Sequence, residues 1–422
     1  MLLLVITILL SFAATLHASG QSAPLLAGSS VCEITPSPGS PMSGYGGRNN
    51  KPALGVRDRL YARCLALEGP GGLKVAVVSA DLLAFTPDLR ASILAKTADL
   101  GFDLVLLAAT HTHSGPGGYQ KGWAVGRFLM GTYSQGMFDV LAGRIAGCIR
   151  DARTNLVPAQ VAYGTGSAPE LVRNRRREAG PTDPQVGILE VETLRGDTIA
   201  LVVSFGAHPT VLSPENLFYS GDYAGATERV LEAWVGAPVL FLAGALGDQK
   251  PHYPGTREWE APLAEQFKEA DRIGEALAAV VMRSLGSFAS EALTSMSARE
   301  AKVDLPGTNL RDRCFWYVLT PLARMLFHTI FHPSTIFQAV RLNDLVLIGM
   351  PAEVSSEIAA RLREHVPFRV VVPVSLANDS LGYVLTPEDY ATGGYEACMS
   401  FYGKDFGTFF ERQALATVSA LW

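Results

Sequence analysis

The chain has 422 residues, of which 48% are hydrophobic and 18% are charged, so it is long enough to bury a large core. Its formal net charge is -5, and no basic run is long enough to follow a phosphate backbone. This composition argues against a nucleic-acid-binding protein and gives no sign of an obligate protein partner. The strongest basic cluster, Arg173–Arg177, is short and indicates a substrate-binding or surface feature.

The amino terminus is predicted to be a secretory signal peptide that covers residues 1–18, with its end as late as residue 23. Its apolar stretch is short for a membrane span, and Leu16-His17-Ala18 is typical of a cleavage site with small residues. Because a positively charged start is missing, an uncleaved membrane anchor is the alternative. Both readings predict an exported protein that is periplasmic, extracellular or associated with the outer side of a membrane.

The five cysteines are scattered along the chain without any CxxC pair. This spacing argues against a cysteine-ligated zinc site, and the odd number leaves at least one thiol unpaired within the chain. An exported protein can form disulfides, but the spacing alone assigns no pairing.

Short apolar runs typical of strands alternate with segments of helical periodicity after the amino terminus. Strands are predicted at 74–81, 104–109, 160–164, 186–194, 198–205, 239–243, 336–341, 346–348 and 369–374. Helices are predicted at 87–100, 136–155, 222–234, 270–285 and 353–364. The alternation predicts an α/β fold with a mixed multi-stranded sheet core, flanking helices and polar groups at strand ends. We expect one catalytic domain over residues 27–422.

One aromatic and apolar segment, Cys314–Phe331, interrupts this pattern as an apolar insertion near 312–333. Arg324 and His328 make it a poor transmembrane span. It is predicted to be either a buried helical hairpin or an interfacial patch that rests on lipid. Trp316 and Tyr317, beside an apolar helix, are typical of the second.

Two histidines, His111 and His113, directly follow the uniformly apolar run 104–109. Such a run is typical of a strand covered on both faces, and ligands of open α/β sheets bind just beyond the carboxyl ends of such strands. Alternate residues of an extended segment face the same way, so both imidazoles can point into one site. A lone His-x-His is equally compatible with two histidines that are hydrogen-bonded in a loop.

Two further apolar runs end in residues that bind metals. His208 follows the strand predicted at 198–205, and Glu353 follows the strand at 346–348. Singly, Glu353 is equally well explained as a negative charge at a helix amino terminus. Taken together, two histidines and one glutamate form an open catalytic zinc set that leaves room for water.

Four motifs that occur in this order resemble those of the neutral (non-lysosomal) ceramidase family. The resemblance runs from about residue 27 to about residue 406, which is nearly the whole mature chain. The motifs are Thr110–Gly118, Gly206–Thr210, Gly349–Glu353 and Asn378–Tyr390.

The resemblance implies four ligands for Zn²⁺, which are His111, His208, Glu353 and Tyr383. His113 matches a family histidine that lies beside the metal and contacts substrate. Arg175 matches an arginine that binds the polar end of the substrate or the attacked carboxyl group. Asp222 lies in a shared motif without an assigned role.

The sequence departs from the family in two respects. Lys250, in Gly247–Pro251, stands where the family has a serine proposed as a nucleophile or a substrate contact, which argues against serine-based chemistry. The family's carboxyl-terminal immunoglobulin-like domain is also expected to be absent, because the chain ends soon after the last motif. Both departures question ceramide as the substrate and leave the predicted zinc site intact.

The resemblance implies a zinc-dependent amidohydrolase that cleaves the amide bond of an N-acyl (sphingo)lipid with metal-activated water. His113 is the candidate to relay the proton to the leaving amine, and Tyr383 and Arg175 are candidates to orient or stabilise the oxyanion. Lys250 either adds a cation there or is a solvated surface charge.

Two alternatives remain, which are a hydrolase of a non-lipid amide or ester and a non-catalytic zinc- or membrane-binding protein. The expected partners are a lipid-like substrate and a peripheral membrane contact through 314–331.

Overall fold

The computed structural model describes residues 24–122, 129–252, 259–311, 314 and 331–422. The predicted signal peptide lies outside these residues. Of the aromatic segment from Cys314 to Phe331, only its two end residues are described, so both of its interpretations stay predictions. Among the described residues, the helices are all too short or too polar to cross a membrane.

The secondary structure follows the predicted alternation of strands and helices. The strands are β1 (Leu25–Glu33), β2 (Gly55–Val56), β3 (Tyr61–Glu68), β4 (Lys74–Ala80), β5 (Leu104–Ala109), β6 (Val157–Ser167), β7 (Val172–Asn174), β8 (Gln185–Thr193), β9 (Thr198–Phe205), β10 (Phe218–Tyr219), β11 (Val239–Ala243), β12 (Gln249–Pro251), β13 (Met296–Asp304), β14 (Ser334–Leu342), β15 (Leu345–Gly349), β16 (Glu353–Val354), β17 (Val370–Val374) and β18 (Tyr383–Val384). The α-helices are α1 (Pro87–Thr97), α2 (Gln135–Thr154), α3 (Asp222–Val235), α4 (Leu263–Leu285), α5 (Ser356–His365), α6 (Pro387–Thr392), α7 (Gly394–Cys398) and α8 (Phe406–Ser419).

Two mixed sheets pack face to face at the centre of the molecule. The larger sheet has eight strands in the order β11-β9-β8-β6-β1-β3-β4-β5, and the smaller has four in the order β13-β14-β15-β17. The pairs β4–β5, β9–β11 and β15–β17 are parallel, and the other neighbours within these two sheets are antiparallel. Leu106 and Val202 of the larger sheet share one hydrophobic core with Leu347 and Val372 of the smaller sheet. Burial of these side chains between the sheets stabilises the sandwich, at about 1.5–3 kcal/mol for each large aliphatic residue.

Helices cover the outer face of each sheet and complete four layers. Helices α1 and α2 pack over one half of the larger sheet, and α3 and α4 pack over the other half. Helices α5 and α8 cover the smaller sheet. In α4, the buried residues Ala270, Ile273, Leu277 and Val281 recur at three- and four-residue spacing, which gives the helix one apolar stripe towards the sheet.

The mixed α/β fold with flanking helices is confirmed, and so is the hairpin formed by β8 and β9. The helix predicted near 353–364 is present as α5, but it starts three residues later than predicted, because Glu353 lies in β16 and the backbone of Ser355 is extended. Helix α4 starts seven residues before its predicted start at Ala270, since four of these seven residues are polar or charged and the segment lacks a clear apolar repeat.

One disulfide joins Cys314 to Cys398, across a sequence separation of 84 residues. Cys32, Cys64 and Cys148 are free thiols. The prediction that at least one thiol stays unpaired is therefore confirmed. The pairing itself could not be predicted from the spacing, because it depends on how distant parts of the chain meet.

Candidate metal centre

The three metal-binding residues predicted at strand ends meet in one place. His111 follows β5, His208 follows β9, and Glu353 forms β16 just after β15. Strands β5 and β9 belong to the larger sheet and β15 to the smaller, so the site lies where ends of the two sheets come together. His111 holds a left-handed backbone conformation with φ of 66°, which is uncommon for a residue other than glycine and occurs often at functional sites.

Main-chain carbonyls orient the two imidazoles that follow β5 and β9. The Nδ1 atom of His111 lies 2.7 Å from the carbonyl oxygen of Leu83, and that of His208 lies 2.6 Å from the carbonyl oxygen of Leu246. A carbonyl oxygen only accepts hydrogen bonds, so each Nδ1 carries the proton of the neutral ring. Each Nε2 atom is therefore left with a lone pair directed into the site, as metal-binding histidines require.

Glu353 and Tyr383 are brought side by side by the parallel pairing of β16 with β18, in which the two residues are direct partners. The Oε2 atom of Glu353 lies 2.9 Å from Nε2 of His208 and 3.5 Å from Nε2 of His111. The hydroxyl of Tyr383 lies 3.3 Å from Nε2 of His208. Gly247 packs against this strand so closely that a Cβ atom there would lie 2.5 Å from the carbonyl oxygen of Glu353.

The charge state of this cluster favours a bound cation. Burial and the positive charge of Arg175 lower the pKa of His208 to about 3, so its ring is neutral at neutral pH. Burial opposes ionisation of Glu353, but the imidazoles of His111 and His208 hold the pKa of its carboxyl well below the ordinary value. The carboxylate of Glu353 then faces the Nε2 lone pairs of the two imidazoles. A cation bound between these acceptors reduces the repulsion among them. The buried donor set therefore fits a metal ion.

His113 joins the cluster but differs from the other two histidines. Its Nε2 atom lies 3.2 Å from Nε2 of His111, and ligand nitrogens of His111, His113 and His208 all lie within 4.8 Å of one another. Its Nδ1 atom is buried and has no hydrogen-bond partner among the described residues. Burial, followed by the neighbouring imidazoles of His111 and His208, lowers the pKa of His113 well below its ordinary value. Within the described part of the chain, His113 is thus a neutral imidazole that no carbonyl holds in the orientation of a ligand.

Arg175 lies directly beside the cluster. Its guanidinium carbon is 5.2 Å from the centre of the Tyr383 ring, and its backbone N–H donates to the carbonyl of Asp248. Glu396 forms an ion pair of 2.8 Å with Arg175 and a second ion pair of 2.9 Å with Arg176. Glu396 could not be recognised from the sequence, because it lies in α7, far from Arg175 along the chain.

The other two residues singled out in the sequence lie outside the cluster. Lys250 is in β12, where it pairs with Arg173 of β7, and its half-buried side chain is not part of the cavity wall described below. Asp222 is the first residue of α3, and its side-chain carboxylate accepts hydrogen bonds from the backbone N–H groups of Leu212 and Tyr223. It fixes the loop that follows His208.

A cavity opens over the cluster, and its wall includes His111, His113, Glu353 and Tyr383. The remaining wall is largely apolar. Its apolar side chains include Leu83, Phe85, Leu129, Met130, Met399 and Phe401. A cluster of candidate metal ligands at an apolar cavity is suited to a substrate that has a hydrocarbon part and a polar group to be attacked.

This fold and site were compared with known proteins. The sequence model of the family described as "Neutral/alkaline non-lysosomal ceramidase, N-terminal" matches residues 26–245. The match spans more than half of the chain, so the protein belongs to this family, and the resemblance read from the four motifs is confirmed.

Individual relatives agree with this assignment. The neutral ceramidase of Mycobacterium tuberculosis is 23% identical over 461 residues, which cover 86% of this chain and 71% of the relative. The neutral ceramidase of Pseudomonas aeruginosa is 24% identical over 453 residues, which cover 86% of this chain and 67% of the relative. The crystal structure of the Pseudomonas aeruginosa enzyme superposes with a TM-score of 0.80 over 94% of this chain and 74% of that chain, at 23% identity. This structural likeness establishes the shared fold.

Proposed function

We propose that the protein is a zinc-dependent hydrolase that cleaves the amide bond of an N-acyl lipid such as ceramide. The observation that carries the proposal is the convergence of the Nε2 atoms of His111 and His208 with the carboxyl group of Glu353 at an apolar cavity. The names of the curated relatives, which are neutral ceramidases, support the same substrate class.

The residues that would hold zinc are His111, His208, Glu353 and Tyr383. This set provides two nitrogen and two oxygen donors, which zinc accepts. When bound, zinc polarises a carbonyl oxygen and lowers the pKa of water towards neutrality.

His113 is assigned the proton transfer. Its imidazole is part of the cavity wall, with Nε2 at 3.2 Å from Nε2 of His111, so it is placed to accept the proton that the attacking water loses. It then delivers this proton to the nitrogen of the leaving amine, a step that typically contributes about 10²–10⁴-fold.

Arg175 and Tyr383 are assigned to the carbonyl oxygen, on which negative charge develops. Burial lowers the pKa of the Arg175 guanidinium, but the neighbouring Tyr383, Glu396 and Glu353 outweigh this effect and raise it above the ordinary value, so the group is protonated. A fixed cation in a site shielded from water stabilises an oxyanion more strongly than it would in solution. Lys250 has no part in this assignment, since it lies in β12 opposite Arg173, whereas the guanidinium of Arg175 lies over the ring of Tyr383.

Hydrolysis assays test this function. Purified protein is given ceramides of several chain lengths, N-acyl amino acids and water-soluble amides and esters, with and without a chelator. We expect turnover of the N-acyl lipids, loss of turnover with chelator and recovery with Zn²⁺. Turnover of the soluble compounds alone would favour the alternative of a non-lipid amidase or esterase, and no turnover in any arm would contradict the proposal.

Export is also part of the proposal. The Cys314–Cys398 disulfide supports a location in an oxidising compartment, where such bonds persist. Amino-terminal sequencing of the protein from culture medium or periplasm is expected to begin between residues 19 and 24. An intact amino terminus in a membrane fraction would favour the anchor instead.

A further inference from the structure

A buried arginine far from the predicted motifs lies directly behind His113. Arg48 is 3% exposed, and its Nη1 atom donates to the carbonyl oxygens of His113 and Ser43, each at 2.6 Å. Its Nε atom donates to the carbonyl of Asn216 at 3.1 Å, and Nη2 lies 3.4 Å from the hydroxyl of Ser114. One guanidinium thereby ties together three segments that are far apart in the sequence.

The partners of Arg48 are unusual because they carry no formal charge. Buried arginines are normally paired with a carboxylate, since an uncompensated charge in the interior is costly. In the described part of the chain, the recorded hydrogen bonds of the Arg48 side chain go only to main-chain carbonyls and one hydroxyl. Burial lowers the pKa of Arg48 to about 10, which still leaves the guanidinium protonated at neutral pH.

The residues just before Arg48 surround the same histidine. Gly44 has φ of 105° and lies so close to His113 that an added Cβ would be 2.7 Å from the histidine Cα. The ring of Tyr45 lies 4.7 Å from the His113 ring, and the Arg48 guanidinium carbon lies 4.8 Å from the Tyr45 ring. Arg48 therefore holds the main chain of His113 through a hydrogen bond, and Gly44 and Tyr45 pack against the His113 side chain.

We propose that Arg48 is a positioning residue, which holds His113 at the distance from the reacting atoms that proton transfer requires. This inference rests on the proposed function of His113. The Nδ1 atom of His113 has no hydrogen-bond partner among the described residues, so the ring is oriented by packing and by its clamped main chain. A displacement of about 1 Å at a reacting group can reduce turnover about 10²-fold. This role explains why the protein retains the uncompensated buried charge of Arg48, because the hydrogen bonds of Arg48 fix the position of His113.

A double-mutant cycle tests the proposal. Arg48→Lys and Arg48→Met are made in the wild type and in His113→Ala, and kcat and KM are measured with a short-chain, water-soluble N-acyl substrate. In the wild type we expect kcat to fall about 10–100-fold, KM to change by less than about 3-fold and zinc to be retained. In the His113→Ala background the same substitutions are expected to change kcat by less than about 2-fold, because the residue through which Arg48 acts is already absent.

A matched control is Arg144→Met. Arg144 also donates to main-chain carbonyls, those of Glu33 and Thr35, but it is exposed and lies away from the cavity. Its substitution is expected to leave kcat unchanged. Equal losses from the Arg48 substitutions in both backgrounds, or wild-type kcat in Arg48→Met, would overturn the proposal.

A second measurement does not depend on turnover or on the folding of Arg48→Met. Protein labelled with ¹⁵N-histidine is compared by NMR, with the His113 signals assigned from their absence in His113→Ala. In Arg48→Lys and Gly44→Ala we expect the His113 signals to shift or broaden while those of His111 and His208 stay in place. Unchanged His113 signals in both variants would refute the positioning role. If the wild type hydrolyses no N-acyl lipid, the proposed function fails, and this NMR comparison still decides whether Arg48 positions His113.

Discussion

Removal of the Glu396 carboxylate is expected to damage both stability and turnover. Glu396 is 7% exposed and forms ion pairs with Arg175 at 2.8 Å and with Arg176 at 2.9 Å. Arg176 keeps three further acceptors, the carbonyls of Asp389 and Gly393 and the hydroxyl of Thr392, in Glu396→Ala. Arg175, whose side chain is 16% exposed, loses its ion-pair partner and keeps only the weaker influence of the Glu353 carboxylate to balance its charge.

The magnitude follows from that burial. Breaking a buried ion pair by removing one partner typically costs about 3–5 kcal/mol, whereas an exposed pair is worth about 0–1 kcal/mol. We therefore expect Glu396→Ala to lower the free energy of unfolding in urea by about 3 kcal/mol or more. Because Arg175 is then free to reorient away from Tyr383, kcat is expected to fall at least about 10-fold.

The matched control is the exposed pair of Arg59 and Glu33, whose N–O distance is also 2.8 Å. Glu33→Ala is expected to lower the free energy of unfolding by less than about 1 kcal/mol and to leave kcat unchanged. Equal destabilisation by the two substitutions, or full activity in Glu396→Ala, would refute the reasoning about burial and about Arg175.

Three further predictions concern other parts of the molecule. Burial raises the pKa of Asp222 to about 7 in the folded protein. As the pH rises from about 4 to 7, the free energy of unfolding of the wild type should therefore fall, relative to that of Asp222→Asn, by up to about 4 kcal/mol. Parallel pH profiles of the two proteins would contradict this. A thiol titration of the denatured protein should count three thiols without reductant and five after reduction of Cys314–Cys398. A count of five without reductant would exclude the disulfide. Gly247→Ala should displace Glu353 and weaken zinc binding at least about 10-fold, measured by competition with a chelator, and unchanged affinity would contradict the close contact.

Sequence reasoning located the centre of the site because its signals are local. The run 104–109 is completely buried as β5, and His111 follows it at the end of a strand as predicted. His208 and Glu353 follow buried strands in the same way. An apolar run that ends in a metal-binding side chain can be recognised without knowing which strands are neighbours.

The remaining parts of the site depend on long-range contacts. The carbonyls of Leu83 and Leu246 that orient the two imidazoles belong to segments with no distinctive composition. Tyr383 was identified only through the family resemblance, since a single tyrosine near the carboxyl terminus carries no pattern of its own. Glu396 and Arg48 act on residues more than 60 positions away, and the sequence gives no sign of such partners.

The error at Glu353 has the same origin. Glu353 was expected as a negative charge at the amino terminus of the predicted helix. Pairing of Glu353 with Tyr383 instead keeps its backbone extended, and the helix starts only at Ser356. A tertiary contact thus outweighed the local preference.

Metal analysis of purified protein tests the central claim most directly. The wild type and three variants, His111→Ala, His208→Ala and His113→Ala, are dialysed against metal-free buffer, and the zinc content per chain is measured. We expect about one zinc in the wild type and in His113→Ala, and almost none in His111→Ala and His208→Ala, because each of these two removes a ligand. Stoichiometric zinc in both ligand variants, or loss of zinc only in His113→Ala, would contradict the assignment of the metal centre.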